Sequence, residues 1–358
     1  MTTRHAERRA ALRGHLADAD VDALLVSDLV NVRYLSGFTG SNAALLVDAG
    51  SDDATRFCTD FRYLTQAAAE VPDLERVIDR PCGPALLRAA TGRIGFESNV
   101  VTVDGLGELQ DAGSAELIGL SGPVERLRAV KDAEEIEAIR QACAVADRAL
   151  ADLLEAGGIR AGRSEREIRL DLDQRIRELG ADDISFATIV AAGSNSAIPH
   201  HSPTDAVVAR GDLVKLDFGA AVHGYHSDMT RTFVVGTPAD WQTDLYGLVA
   251  AAQGAGRAAC RPGTTAAAVD AAARDLIADA GHADHFGHGL GHGVGLVIHE
   301  DPFLAANSAA IIEPDMCVTV EPGVYLPGRG GVRIEDSGVV RPDGYEILTL
   351  TTKEFLAL

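Results

Sequence analysis

Apolar and polar positions alternate along this chain in two different rhythms. Residues 5–18 carry apolar side chains at helical spacing and predict an amphipathic helix, and the apolar run at 22–27 predicts a buried strand. Further strands are predicted at 43–47, 55–58 and 93–96, with helices around 63–69 and 83–90. Alternation of this kind predicts an α/β layer domain over residues 1–125. From 127 the helical periods lengthen. The segment 127–135 opens a helix predicted to run to about 155, with Ile136, Ile139, Cys143 and Val145 on its apolar side. Asp132 is its expected N-cap, with Glu135 three residues on, and Ser164 with Glu167 repeats that pattern at the start of a second helix ending before Gly180. Two more helices are predicted at about 240–259 and 264–280.

Between and after these helices lie strands that end in acids. In LVKLDF (213–218), Val214 and Leu216 share one face while Lys215 and Asp217 share the other. Asp228 follows eleven residues later in HSDMTRT, a separation that sets two carboxylates near each other across a hairpin. Carboxylates that face one another raise each other's pKa, and a divalent cation such as Mn²⁺ relieves the repulsion. Two solvated hairpin acids would give the same local pattern. The segment PDMCVTVEPG (314–323) then repeats the plan, with Glu321 at the far end of its strand, and VRIEDSG (332–338) adds a second strand bearing Glu335. The same two-strand acidic device is therefore written twice, and two halves closing face to face would bring Asp217, Asp228, Glu321 and Glu335 together. Residues 126–358 are expected to form a pseudo-duplicated α+β domain with a strongly curved antiparallel sheet and helices on one face.

Histidines sharpen this picture, because nine of the eleven lie after residue 199. Five fall in HADHFGHGLGHGVGLVIHED (282–301), where five glycines between 287 and 295 make a helix improbable. In an extended backbone His288 and His292 lie on one side. An imidazole added to four carboxylates gives a mixed N/O set suited to Mn²⁺, Co²⁺ or Zn²⁺. His200 and His201, on a polar turn before the first hairpin, could reach the same place as a proton shuttle or oxyanion donor.

Composition excludes some classes. The formal charge of −21, from 53 acidic and 32 basic side chains, opposes binding to nucleic acid or to anionic membranes. No run of about twenty apolar residues is present to span a bilayer. The charged N-terminus has no apolar core of a signal peptide. Five dispersed cysteines without CxxC spacing suggest reduced thiols and a cytoplasmic location.

Taken in order, LDFGA, SDMTRTF, GHGLGHGVGL-x-IHE, EPGVY and VRIED resemble the blocks of the pita-bread metallopeptidases, the group containing aminopeptidase P, prolidase, methionine aminopeptidase and metal-free creatinase. YLSGFTGSNAALLV and TDFRYLTQA resemble the creatinase-like N-terminal domain of aminopeptidase P and prolidase, which methionine aminopeptidase usually lacks. The resemblance implies two divalent metal ions held by Asp217, Asp228, His292, Glu321 and Glu335, with Asp228 and Glu335 bridging. It implies catalytic roles for His200, His299 and Glu321, and substrate contacts for Phe186, His288 and Arg333. His201 stands where the family often has Gly, and Phe186 where some aminopeptidases P have Tyr. The expected activity is a dinuclear-metal exopeptidase cleaving the Xaa-Pro bond at the N-terminus of peptides, acting as a homodimer. An Xaa-Pro dipeptidase (prolidase) is the nearest alternative. A non-catalytic binding module or a creatinase-like hydrolase is further off, since no metal carboxylate is lost.

Overall fold

The computed structural model describes residues 4–358 and divides into two compact units, with the change after Arg128. In the first unit, helix α1 (Arg4–Asp18) leads into strand β1 (Ala23–Val26), α2 (Leu29–Ser36), β2 (Ala43–Asp48), β3 (Arg56–Thr59), α3 (Leu64–Glu70) and β4 (Glu75–Ile78). Then come α4 (Cys82–Leu87), β5 (Arg93–Glu97), α5 (Val103–Ala112) and β6 (Glu116–Leu120). The six strands form one mixed sheet in the order β4-β3-β2-β1-β5-β6. All four residues of β1 are buried, as a central strand covered on both faces requires. Leu25, Cys58, Leu86, Ile94 and Phe96 meet in its core. Four elements were not expected from the sequence. The edge strand β4 reads ERVI and buries none of its residues fully, α5 carries two glycines, and α2 and β6 are short.

The second unit spans 129–358, and the single helix expected from 127 is broken in two: the short α6 (Glu125–Ala129) stops, and the long helix proper, α7 (Ala133–Glu155), starts anew after Asp132. Asp132 caps it, accepting from the N–H groups of Glu134 and Glu135, while Glu135 returns a carboxylate oxygen to the Asp132 N–H at 2.9 Å. Helix α8 (Glu165–Glu178) begins with the same reciprocal box between Ser164 and Glu167. Strands β7 (Asp183–Ile184), β8 (Ile189–Ala192), β9 (Leu213–Phe218), β10 (Ala220–Val222), β11 (Tyr225–His226) and β12 (Met229–Val234) follow. The apolar faces of α7 and α8, including Leu150, Leu153, Ile168 and Leu172, pack on Val190, Val214, Leu216 and Phe233. Each such fully buried aliphatic side chain contributes about 1.5–3 kcal/mol.

The second half repeats the arrangement with α9 (Asp240–Ala259), α10 (Ala266–Ile277) and strands β13 (Gly291–Gly293), β14 (Glu300–Leu304), β15 (Cys317–Val320), β16 (Gly323–Leu326), β17 (Gly330–Arg333), β18 (Asp336–Arg341) and β19 (Gly344–Ile347). Leu245, Val249, Val269 and Ala273 from its helices meet Val318, Val320, Val332 and Val340. The unit is α+β, and its antiparallel strands fall into four hydrogen-bonded groups rather than one sheet: β12-β9-β8, β11-β10-β7, β14-β13-β15-β18-β19 and β16-β17. Strand β9, which bears Asp217, and strand β12, which Asp228 immediately precedes, are joined by a hairpin, β10–β11, that belongs to a different sheet. The chain changes sheets at Gly219, where a Cβ would lie 1.8 Å from the Ser227 carbonyl oxygen, a crossing that only glycine permits.

Candidate metal centre

The two acidic hairpins meet. Asp217 is the fifth residue of β9 and sits in register between Ile189 of β8 and Thr230 of β12. Asp228 immediately precedes β12, and Glu335 immediately precedes β18. Glu321 follows β15, and His292 is the middle residue of β13. The hydroxyls two places after Asp228 and Glu335 are exchanged between the halves. Thr230 donates to a Glu335 carboxylate oxygen at 2.7 Å, while the Ser337 hydroxyl donates to the Asp228 carbonyl at 2.8 Å and accepts from its N–H at 3.2 Å. The Glu335 N–H in turn reaches the Thr230 carbonyl at 3.1 Å. This exchange of hydrogen bonds ties the two hairpins into one wall.

All five expected ligand residues line one cleft of about 260 Å³, with Phe186, Ala187, Ile189, His200 and His299 completing its lining. Imidazole Nε2 of His292 stands 3.6 Å from Asp228 Oδ2 and 3.4 Å from Glu321 Oε1. One ligand atom from each of Asp228, His292 and Glu335 lies within 4.8 Å of the others. His292 Nδ1 points at the Gly293 carbonyl at 3.0 Å, which places the proton there and leaves the Nε2 lone pair facing the acids. Burial, reinforced by the nearby His299, lowers this imidazole to about 4, so it is neutral at physiological pH.

The carboxylates carry the opposite strain. Burial, then the charges of Glu335, Asp217 and Glu321, pushes Asp228 well above the ordinary carboxylate range. Burial, then Glu321 and Asp217, does the same to Glu335. Burial raises Glu321 to about 8, with the Arg333 guanidinium opposing and Asp217 adding to the rise. Asp217 Oδ1, Asp228 Oδ1 and Glu335 Oε1 are buried without a hydrogen-bond partner among the described residues. Buried anionic oxygens left unpaired are costly, and divalent cations are the partners that four convergent carboxylates and one neutral imidazole fit.

The remaining expected residues divide. His200 and His299 stand at the cleft with exposed rings that make no hydrogen bond among the described residues, and His299 packs its ring edge-on against His292. Phe186 lines the wall. His288 and Arg333, expected to touch substrate, do not line the cleft. Arg333 is 2% exposed and spends its guanidinium on Asp217, on Thr230 Oγ1 at 2.9 Å and on the Tyr325 hydroxyl at 3.0 Å; His288 Nε2 meets the same hydroxyl at 2.9 Å. The two therefore form a layer behind the acids, linked by Tyr325, which the sequence reading did not single out. His282 and His285 pair with each other away from the cleft. Thr230 and Ser337 were also missed, although acid-x-hydroxyl recurs in both halves as Asp228-Met229-Thr230 and Glu335-Asp336-Ser337.

A cation-demanding acidic cleft on a duplicated α+β frame defines a candidate metal-binding centre. Residues 137–342 match the model of metallopeptidase family M24, and residues 8–130 match the creatinase/prolidase N-terminal domain. The chain is 41% identical over 356 residues to the peptidase YqhT of Bacillus subtilis, covering 97% of this chain and 99% of that one. It is 34% identical over 351 residues to an Xaa-Pro dipeptidase of Pyrococcus furiosus, covering 98% and 99%. Among solved structures, an Xaa-Pro dipeptidase from Bacillus anthracis superposes with a TM-score of 0.94 at 38% identity, covering 99% of this chain and 100% of that one. An X-Pro aminopeptidase from Thermotoga maritima gives 0.88 at 34% identity, covering 98% and 99%. The chain therefore belongs to metallopeptidase family M24, the pita-bread peptidases, and is a metallo-exopeptidase.

Proposed function

We propose that this protein is an Xaa-Pro dipeptidase that works with two divalent metal ions. The observation that carries the reading is the convergence of four acids and a neutral imidazole, three of the acids with unpartnered buried oxygens. The sequence by itself favours an Xaa-Pro aminopeptidase over the dipeptidase. The near-full-length relatives named Xaa-Pro dipeptidase favour the alternative. The likeness to the Thermotoga aminopeptidase keeps cleavage of longer Xaa-Pro peptides as the second reading.

Asp217, Asp228, His292, Glu321 and Glu335 would hold the ions, and manganese suits this oxygen-rich set, with cobalt or zinc as neighbours in preference. When bound, such ions supply Lewis acidity and a water acidified toward neutrality. Glu321, which lines the cleft and would be held ionised by the cations, accepts a proton from the attacking water and returns it to the leaving proline nitrogen. His200 and His299, free at the mouth, donate to the developing oxyanion and to the substrate carboxylate. Phe186, Ala187 and Ile189 offer an apolar wall to the proline ring. An amide to proline has no N–H, so protonating its nitrogen directly is what lets it leave. A homodimer and a cytoplasmic setting are further parts of the proposal; five free, buried cysteines suit a reducing compartment. No helix among the described residues is long and apolar enough to cross a membrane.

Incubation with Mn²⁺ and matched Ala-Pro and Ala-Pro-Ala peptides, with and without chelator, tests this. Chelator-sensitive release of proline from Ala-Pro, with Ala-Pro-Ala left uncut, is expected. Equal or faster cleavage of the tripeptide would move the assignment to the aminopeptidase.

A further inference from the structure

Three buried side chains with no part in the proposed chemistry grip the main chain on either side of His200. Upstream, Lys215 Nζ donates to the carbonyls of Ile198 at 2.7 Å and Pro199 at 3.2 Å, and Arg333 reaches the Pro199 carbonyl at 3.2 Å. Downstream, Glu165 is fully buried and takes five donors. Its Oε2 accepts from His201 Nε2 at 2.8 Å and from the N–H and hydroxyl of Thr204 at 2.9 and 2.7 Å. Its Oε1 accepts from the Ala192 N–H at 2.8 Å and from Asn195 at 2.9 Å. Burial pushes this carboxyl's proton affinity up, but the donors outweigh it and hold it below the ordinary value, so it is ionised at neutral pH.

This arrangement joins three things. Ala192 ends β8, the strand in register with β9 and hence with Asp217. Glu165 opens α8, which is packed into the core of the first half. His201 is the immediate neighbour of His200 and is 9% exposed, whereas the His200 ring is exposed and makes no hydrogen bond among the described residues. A ring with no partner of its own takes its place from its main chain. Here the main chain is fixed by its neighbour's side chain, through one carboxylate, to the strand beside the acids.

We propose that Glu165, acting through His201, is the positioning residue that sets where His200 stands over the acidic cluster. The inference rests on the reading of His200 as a proton donor to substrate. It predicts that displacement of His200 by a fraction of a turn of the loop costs turnover while the metal site stays intact.

The test is steady-state hydrolysis of Ala-Pro by the Mn²⁺-loaded full chain, with metal content measured on every variant. Glu165→Gln and His201→Leu should lower kcat roughly ten- to hundredfold with bound metal unchanged. His201→Gln, whose amide nitrogen can still donate to Glu165, should stay near wild type. In a His200→Ala background, Glu165→Gln and His201→Leu should bring no further loss, because residues acting as a unit are not additive. A purely structural role predicts the same additional loss in both backgrounds, and that result would overturn the proposal. So would wild-type turnover in His201→Leu, or loss of metal accompanying loss of turnover. The two His201 variants carry the test if Glu165→Gln does not fold. A fully active His200→Ala would remove the reading of His200 itself, a pattern distinct from an impaired His200→Ala beside an unimpaired His201→Leu.

Discussion

Stripped of ions by a chelator, the catalytic unit should lose stability steadily as pH rises from about 6.5 to about 8. The reason lies in the acids. A Glu in an unfolded chain ionises near 4.5, while folded, metal-free Glu321 holds its proton to about 8, chiefly through burial. Between those values the folded state binds the extra proton, so raising the pH favours unfolding by about 1.4 kcal/mol per pH unit for each such group. His292 acts in the opposite sense, because it is neutral in the fold down to about 4 but ionises near 6.5 when unfolded. Its contribution rises with pH only up to about 6.5, which is why the window opens there. From 6.5 to 8, Glu321 alone should remove about 2 kcal/mol. Asp228 and Glu335, raised well above the ordinary range, add to the decline. Urea titration followed by fluorescence suits the measurement, since the single tryptophan, Trp241, lies on α9 and reports on this unit. Saturating Mn²⁺ should cancel the decline, because metal binding displaces the protons. Glu321→Gln without metal should be flatter than wild type by the Glu321 share. Parallel stability curves for the metal-free wild type and Glu321→Gln across this window would refute the account.

Glu335→Gln or Asp228→Asn should abolish metal loading and turnover together, and full activity with two bound ions in either variant would break the ligand assignment. His200→Ala should lower kcat by about 10²–10³ with metal content intact; joint loss of both would move His200 among the ligands. Gly291→Ala would drive a Cβ to 2.1 Å from the Thr319 carbonyl oxygen, so it should part β13 from β15, unseat His292 and lower the thermal midpoint by several degrees in calorimetry.

The acid cluster was legible because the same strand-then-acid plan is written twice, which turns a pattern that is ambiguous in one hairpin into four matched positions. Asp217 lies near the end of β9 and Glu321 just past β15, while Asp228 and Glu335 stand just before β12 and β18, so it is the doubling of the plan that marks the four as one set. Helix starts were equally clear, since Asp132 with Glu135 and Ser164 with Glu167 are local signals independent of tertiary packing. What stayed hidden depends on contacts far apart in sequence. The β10–β11 hairpin leaving the sheet, the Tyr325 link between His288 and Arg333, and the grip of Glu165 on the His200 loop all have partners distant in the chain. In the first unit, β4 and α5 failed to register because an exposed edge strand and a glycine-bearing helix lack a strong apolar period. The choice between dipeptide and longer peptide was not written in the blocks either, since the same blocks resemble both aminopeptidase P and prolidase.

The hydroxyls traded between Thr230 and Ser337 make each half the custodian of the other's acid. Neither half owns a finished hydrolytic centre. A nascent or partly unravelled chain therefore presents scattered carboxylates of ordinary acidity and no ion-holding cage, and cutting power arrives only when both lobes have docked. Turnover in such a protein is a direct gauge of completed assembly, and a lone lobe expressed by itself would need a second lobe as its mate before it could hydrolyse anything.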